Sequence, residues 1–159
     1  MFIKEIPNVL LFKEVRQILS EGGSVELGVK GESMRPFLRS NKDVVVLSPF
    51  RPEELKPGTI ILFAYYNKHL LHRIVEAGNK YLLIQGDGCM KNYEKVQHSD
   101  VIGIVRTVIR SNGKAVPVKG LMVEIYWRLW YLLRPWRHYL LTFYDKVKFY
   151  YNAIYKISN

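Results

Sequence analysis

Apolar positions recur at helical spacing near the start of the chain, alternate or cluster in short runs through its middle, and form short aromatic-rich apolar runs near its end. Leu11, Val15, Ile18 and Leu19, with Phe12 beside them, follow the helical period and predict a short amphipathic helix over residues 8–20. Asn8 is placed to cap its start, and Gly22–Gly23 to end it. The apolar face of this helix is expected to cover one side of a core.

From Ser24 the period changes to that of strands, which are expected at Ser24–Lys30, Val44–Leu47, Thr59–Tyr65, Leu70–Glu76, Tyr81–Gln85, Val101–Ile109 and Ala115–Val118. Turn residues separate them: Ser48-Pro49, Lys56-Pro57-Gly58, Ala77-Gly78-Asn79, Gly86-Asp87-Gly88 and Ser111-Asn112-Gly113. Many short strands with such punctuation predict a mainly β, mostly antiparallel, barrel-like domain. The chain then divides into an N-terminal amphipathic helix (1–23), a β domain (24–119) and a C-terminal helical segment (120–159). Pro135 should split the last into helices of about 121–134 and 136–157.

Composition sharpens the reading of that segment. Residues 121–159 hold 12 of the 21 aromatic side chains, including Trp127, Trp130 and Trp136. They also hold six Lys or Arg against Glu124 and Asp145. Tryptophan and tyrosine favour the headgroup zone of a bilayer, and basic side chains favour anionic lipid, so the segment is expected to touch a membrane peripherally or to fold back on the β domain. No run reaches the roughly 20 apolar residues of a membrane span. Lys4, Glu5, Lys13, Glu14 and Arg16 interrupt the N-terminus, so neither a signal peptide nor a transmembrane anchor is expected. The protein is expected in the cytoplasm or at the membrane periphery. The net charge of +10 suits an anionic partner, and the single cysteine, Cys89, excludes an internal disulfide.

Candidate chemistry begins at Gly31-Glu32-Ser33-Met34-Arg35-Pro36, where a serine sits at a turn after a strand. Asp43-Val-Val-Val then opens one strand and Leu55-Lys-Pro-Gly58-Thr-Ile-Ile another. His72-Arg73-Ile74-Val75 and Gly86-Asp87-Gly88 follow. This order, over roughly residues 28–106, resembles the signal peptidase and LexA-like repressor superfamily, which reads G-x-S-M-x-P, an Asp-opened strand, L-x-x-G-D, Lys or His before Arg, and a late G-D. Several motifs in order are far more specific than any one of them. The His-Arg-Ile form is similar to the histidine-type signal peptidases. The resemblance implies Ser33 as nucleophile and His72 as its base, with an oxyanion hole of backbone N–H groups at the Ser33 turn. The residue types fit that chemistry: a serine hydroxyl needs a base within reach, and an imidazole can accept a proton near pH 7.

The sequence departs from the family at the third member. Histidine-type relatives carry a second acid six residues after G-D, a position that is Tyr93 here. Asp87 orients His72, or Glu94 does after a local shift, or no carboxylate does. Loss of that carboxylate in a serine protease costs about 10⁴ in rate. The strand-opening G-D has also become Gly58-Thr59.

His69 is a rival base, but on a strand it would face away from His72. Cys89 lacks a nucleophile signature, and His98 and His138 have no metal-ligand spacing partners, so no metal or cofactor is expected. The expected function is a serine endopeptidase of signal peptidase type acting on leader-bearing peptides or proteins. The alternative is a catalytically weak or inactive binding or regulatory protein on the same fold. Nucleic acid is not an expected partner: the first 23 residues are too short for a helix-turn-helix, and the repressors' cleavage segment is missing.

Overall fold

In a computed structural model, which describes residues 8–157 and the side chains from 10 to 151, one antiparallel sheet of eight strands carries a helix at its start and two at its end. Helix α1 (Asn8–Ser20) leads into β1 (Val25–Gly28), β2 (Val44–Ser48), β3 (Ile60–Tyr65) and β4 (Lys68–Ala77). Strands β5 (Tyr81–Gln85), β6 (Glu94–Gln97), β7 (Val101–Ile109) and β8 (Ala115–Pro117) complete the sheet. Helices α2 (Leu121–Leu132) and α3 (Arg137–Ile157) follow, joined by a 3₁₀ turn at Arg134–Trp136. The pairing order is β1-β2-β7-β3-β4-β5-β6, with β8 also on β7. No pairing among the described residues joins β1 to β6.

Strand β3 shows why the sheet is buried on both sides. Ile60, Ile61, Leu62 and Phe63 are all buried. Successive side chains point to opposite faces. Ile60 and Leu62 therefore join Val15 and Leu19 of α1, Val45 and Leu47 of β2, and Val105 and Val108 of β7. Ile61 and Phe63 join Ile74, Leu82, Ile84, Val96 and Ile104 on the other side. Burying one such side chain contributes roughly 1.5–3 kcal/mol, so these two clusters are the main source of stability.

Local signals account for most boundaries. Helix α1 ends as expected, with Gly22 at a φ of 85° and the Gly23 N–H donating to the Ile18 carbonyl at 2.9 Å. The side chain of Asn8, the expected cap, lies outside the described residues. The β7–β8 hairpin turns at Ser111-Asn112-Gly113, where the Arg110 N–H donates to the Lys114 carbonyl at 2.9 Å. Strand β4 is longer than the expected Leu70–Glu76. Tyr66 adopts a φ of 51° in a two-residue turn that lets Tyr65 pair with Lys68. Strand β6 was not expected from the sequence: Glu-Lys-Val-Gln buries only Val96 and shows no apolar alternation.

The C-terminal helices break near Pro135 as expected, with α2 ending at Leu132 and α3 starting at Arg137. One side of α2 rests on the β domain. Tyr126 packs on Phe37 with ring centroids 5.6 Å apart, and burial, with the Asp87 charge adding, pushes its hydroxyl up to about 12. Trp127 and Trp130 are half-buried, whereas Trp136 is exposed. Among the described residues, no helix is long and apolar enough to cross a membrane.

Candidate active site

The connection from β1 to β2 carries Ser33. Met34 and Leu38 are buried and pin this connection to the core. The Arg35 N–H donates to the Glu32 carbonyl at 3.2 Å and the Leu38 N–H to the Met34 carbonyl at 2.9 Å, which winds the chain tightly around Ser33. Ser33 itself is half-buried. The amides of Ser33 and Met34 donate to no acceptor among the described residues. Beyond the turn, Asp43 is buried and accepts from Arg39 and Arg110. Burial alone would raise its carboxyl, but the two arginines outweigh it and hold it below the usual range.

His72 stands on β4 opposite Ile61 of β3, buried, with its ring 6.0 Å from that of Phe63. Its Nδ1 lies 3.1 Å from Oε2 of Glu94, the first residue of β6. The register explains the pair: β6 sets Glu94 opposite Ile84 of β5, and β5 sets Ile84 opposite Ile74 of β4. A carboxylate only accepts, so the bond orients Nδ1 as the donor, and in a neutral ring the lone pair is then on Nε2.

The Gly86-Asp87-Gly88 loop brings these two regions together. A Cβ placed on Gly86 would lie 2.5 Å from the Ser33 carbonyl oxygen, 3.0 Å from Cys89 Sγ and 3.1 Å from His72 Nε2. Only a residue without a side chain lets the serine turn settle there beside the imidazole. The Gly88 N–H completes the docking by donating to the Ser33 carbonyl at 2.7 Å. Ser33 Oγ hydrogen-bonds none of the described residues, so no direct Ser33–His72 hydrogen bond is formed. The fold makes the two residues neighbours through their main-chain surroundings.

Asp87, the first acid expected at His72, is occupied elsewhere. Both its oxygens are held by Arg73, from Nε at 2.8 Å and Nη2 at 2.7 Å, and both side chains are buried. Arg73 also donates to the Gly58 carbonyl at 2.8 Å. The reason is parity: adjacent residues on a strand face opposite sides, so His72 and Arg73 are directed to different carboxylates. Glu94, one residue past the expected position, is the acid that the structure brings to the imidazole. Tyr93, at that position, is half-buried under the guanidinium of Arg134, 4.6 Å from its ring centroid.

The rival groups are engaged elsewhere, although His69 lines the cleft beside Ser33. His69 faces away from His72 as alternation requires and stacks on Phe12 at 3.8 Å; burial, with Arg16 adding, pushes its pKa down. Burial, with Glu94 adding, pushes the Cys89 thiol up, which leaves little thiolate near neutral pH. His98 Nε2 lies 3.0 Å from the Gly78 carbonyl, and the ring of His138 contacts that of Tyr139. A cleft of about 560 Å³ opens beside Ser33 and Met34, between Leu27–Gly28 of β1 and the Asn67–Leu71 side of the β3–β4 hairpin.

Sequence reasoning missed three groups that shape the site. Arg73 engages Asp87. Trp130 donates from Nε1 to the Asp87 carbonyl at 2.7 Å. Arg137, buried, donates to the carbonyls of Trp130 and Cys89. The His-Arg pair on a strand was the available signal for the first; nothing local to the sequence points to the other two. Compared with models of known protein families and with curated proteins, the chain matches none.

Proposed function

We propose that the protein is a serine endopeptidase of the signal peptidase and LexA-like type, in its histidine form, acting on leader-bearing peptides or proteins. The observation that carries the proposal is His72: its Nδ1 is engaged by Glu94, and its Nε2 faces the Gly86 surface on which the Ser33 turn is docked. On substrate binding, Ser33 Oγ comes within hydrogen-bonding reach of Nε2, since such contacts are often open in free enzymes and tighten with substrate. Oγ attacks the scissile carbonyl carbon, and its proton passes to Nε2. Glu94 stabilises the imidazolium, and the unpaired Ser33 and Met34 amides receive the oxyanion. The proton on Nε2 then leaves with the amine, and water releases the acyl chain from Ser33. The cleft beside Ser33 accommodates the peptide.

The test is reaction of the purified protein with a serine-directed inhibitor, a peptide or a β-lactam type, read by mass spectrometry. A single adduct is expected on the peptide containing Ser33, absent from Ser33→Ala and diminished in His72→Ala. No adduct, or one on another residue, would overturn the proposal. A binding or regulatory protein on the same fold is the second reading, favoured by the missing direct bond between Ser33 Oγ and His72; it requires that no adduct forms.

The two carboxylates should separate by kind of effect. Glu94→Gln is expected to lower kcat by up to about 10⁴, because an amide can donate to Nδ1 and select the wrong tautomer, with little change in melting. Asp87→Asn strands the buried Arg73 charge and should cost about 3 kcal/mol of stability by denaturant titration. An unchanged kcat in Glu94→Gln would rule Glu94 out as the orienting acid.

A further inference from the structure

Of the 21 large apolar side chains exposed among the described residues, 16 lie between Leu121 and Tyr151. Many of them fall on the outward sides of the two helices. On α2, the side carrying Tyr126 and Trp130 meets the β domain, and the opposite side presents Leu121, Ile125 and Leu132. On α3, Arg137 and Asp145 reach the Cys89 carbonyl and Arg35, and the opposite side presents Tyr139, Phe143 and Tyr150, each about two-thirds exposed. Trp136 stands exposed in the turn between them. Exposed apolar surface on this scale marks an interaction site.

Charge selects the occupant. Both acids of the segment are engaged by arginines, Glu124 by Arg128 and Asp145 by Arg35. Lys146, toward the outward side of α3, pairs with no carboxylate among the described residues, and the whole chain is strongly basic. A second copy would bring like charges together, and lysine is depleted from protein interfaces. Aromatic side chains interspersed with lysine suit the headgroup layer of an anionic bilayer.

We propose that the outward face of α2 and α3 docks on an anionic bilayer surface, the helices lying in the interface without crossing it. The inward side of α3 touches Arg35 and Cys89, so about one helix diameter, roughly 10 Å, separates that surface from the loops carrying Ser33 and Gly86. If the peptidase reading holds, its substrates are leader peptides held at the membrane.

Docking is tested on the full chain carrying Ser33→Ala, so that its outcome does not depend on cleavage. The protein should float with vesicles of phosphatidylcholine and phosphatidylglycerol, and much less with phosphatidylcholine alone or at high salt. Tyr139→Ser, Phe143→Ser and Tyr150→Ser combined should abolish flotation without altering the melting curve. Lys146→Glu should weaken binding about ten-fold. Absence of flotation with anionic vesicles would overturn the proposal, as would undiminished flotation of both variants. So would light scattering that shows a dimer in solution lost in the aromatic variant.

Discussion

With Ser33 replaced by alanine, cleavage of a leader peptide is expected to fall by about 10⁵- to 10⁶-fold, the scale on which serine proteases lose rate without their nucleophile. The melting midpoint should hardly move. Ser33 Oγ hydrogen-bonds none of the described residues, so its removal leaves no buried donor or acceptor stranded. The bonds that shape the turn use main-chain atoms, above all the Gly88 N–H on the Ser33 carbonyl, and Met34 and Leu38 keep their anchorage. The combination of lost rate and kept stability is the signature of a nucleophile. An alanine variant that cleaves at the wild-type rate would remove Ser33 from the mechanism.

Gly86→Ala is the second large effect and acts through geometry. The new methyl would meet the Ser33 carbonyl oxygen at 2.5 Å, closer than any relaxed contact, with Cys89 Sγ and His72 Nε2 about 3 Å away. The carbonyl belongs to the backbone of a turn pinned by buried Met34 and Leu38, so it cannot yield as a flexible side chain would. The turn must shift relative to His72. A displacement near 1 Å in a catalytic arrangement costs about 10²-fold, and overpacking costs about 1–3 kcal/mol. Both should appear together: a lower kcat and an earlier denaturation midpoint. An alanine variant with wild-type kcat and midpoint would mean that the serine turn does not rest on this loop.

The sequence was most legible where one strong local preference decides. The wholly apolar Ile60–Phe63 run, the Gly22–Gly23 stop and the Pro135 break each carry their cause within a few residues. The opposite facing of His69 and His72 needed only the period of a strand. The choice between Asp87 and Glu94 did not follow from counting. Residues 86–93 are loop, where no period applies, and only the pairing of β6 with β5 fixes Glu94 beneath the imidazole. Strand β6 itself is polar and is held by its neighbour rather than by its composition. The capture of Asp87 by Arg73 and of its carbonyl by Trp130 joins segments far apart in the chain, which no local pattern encodes.

The strand order has a consequence for how the site is born. Ser33 lies between β1 and β2, while His72, Gly86 and Glu94 lie in the run from β4 to β6. No pairing joins these two groups of strands directly; β7 sits between β2 and β3 and bonds to both. Each group can pair locally as soon as it leaves the ribosome, but the seam between them closes only when residues 101–109 arrive, a long-range step that is slow relative to hairpin formation. A chain stalled before that point has only the Gly86–Gly88 loop to hold the Ser33 turn near His72, so on the peptidase reading proposed above the pair is held in place only once the sheet is whole.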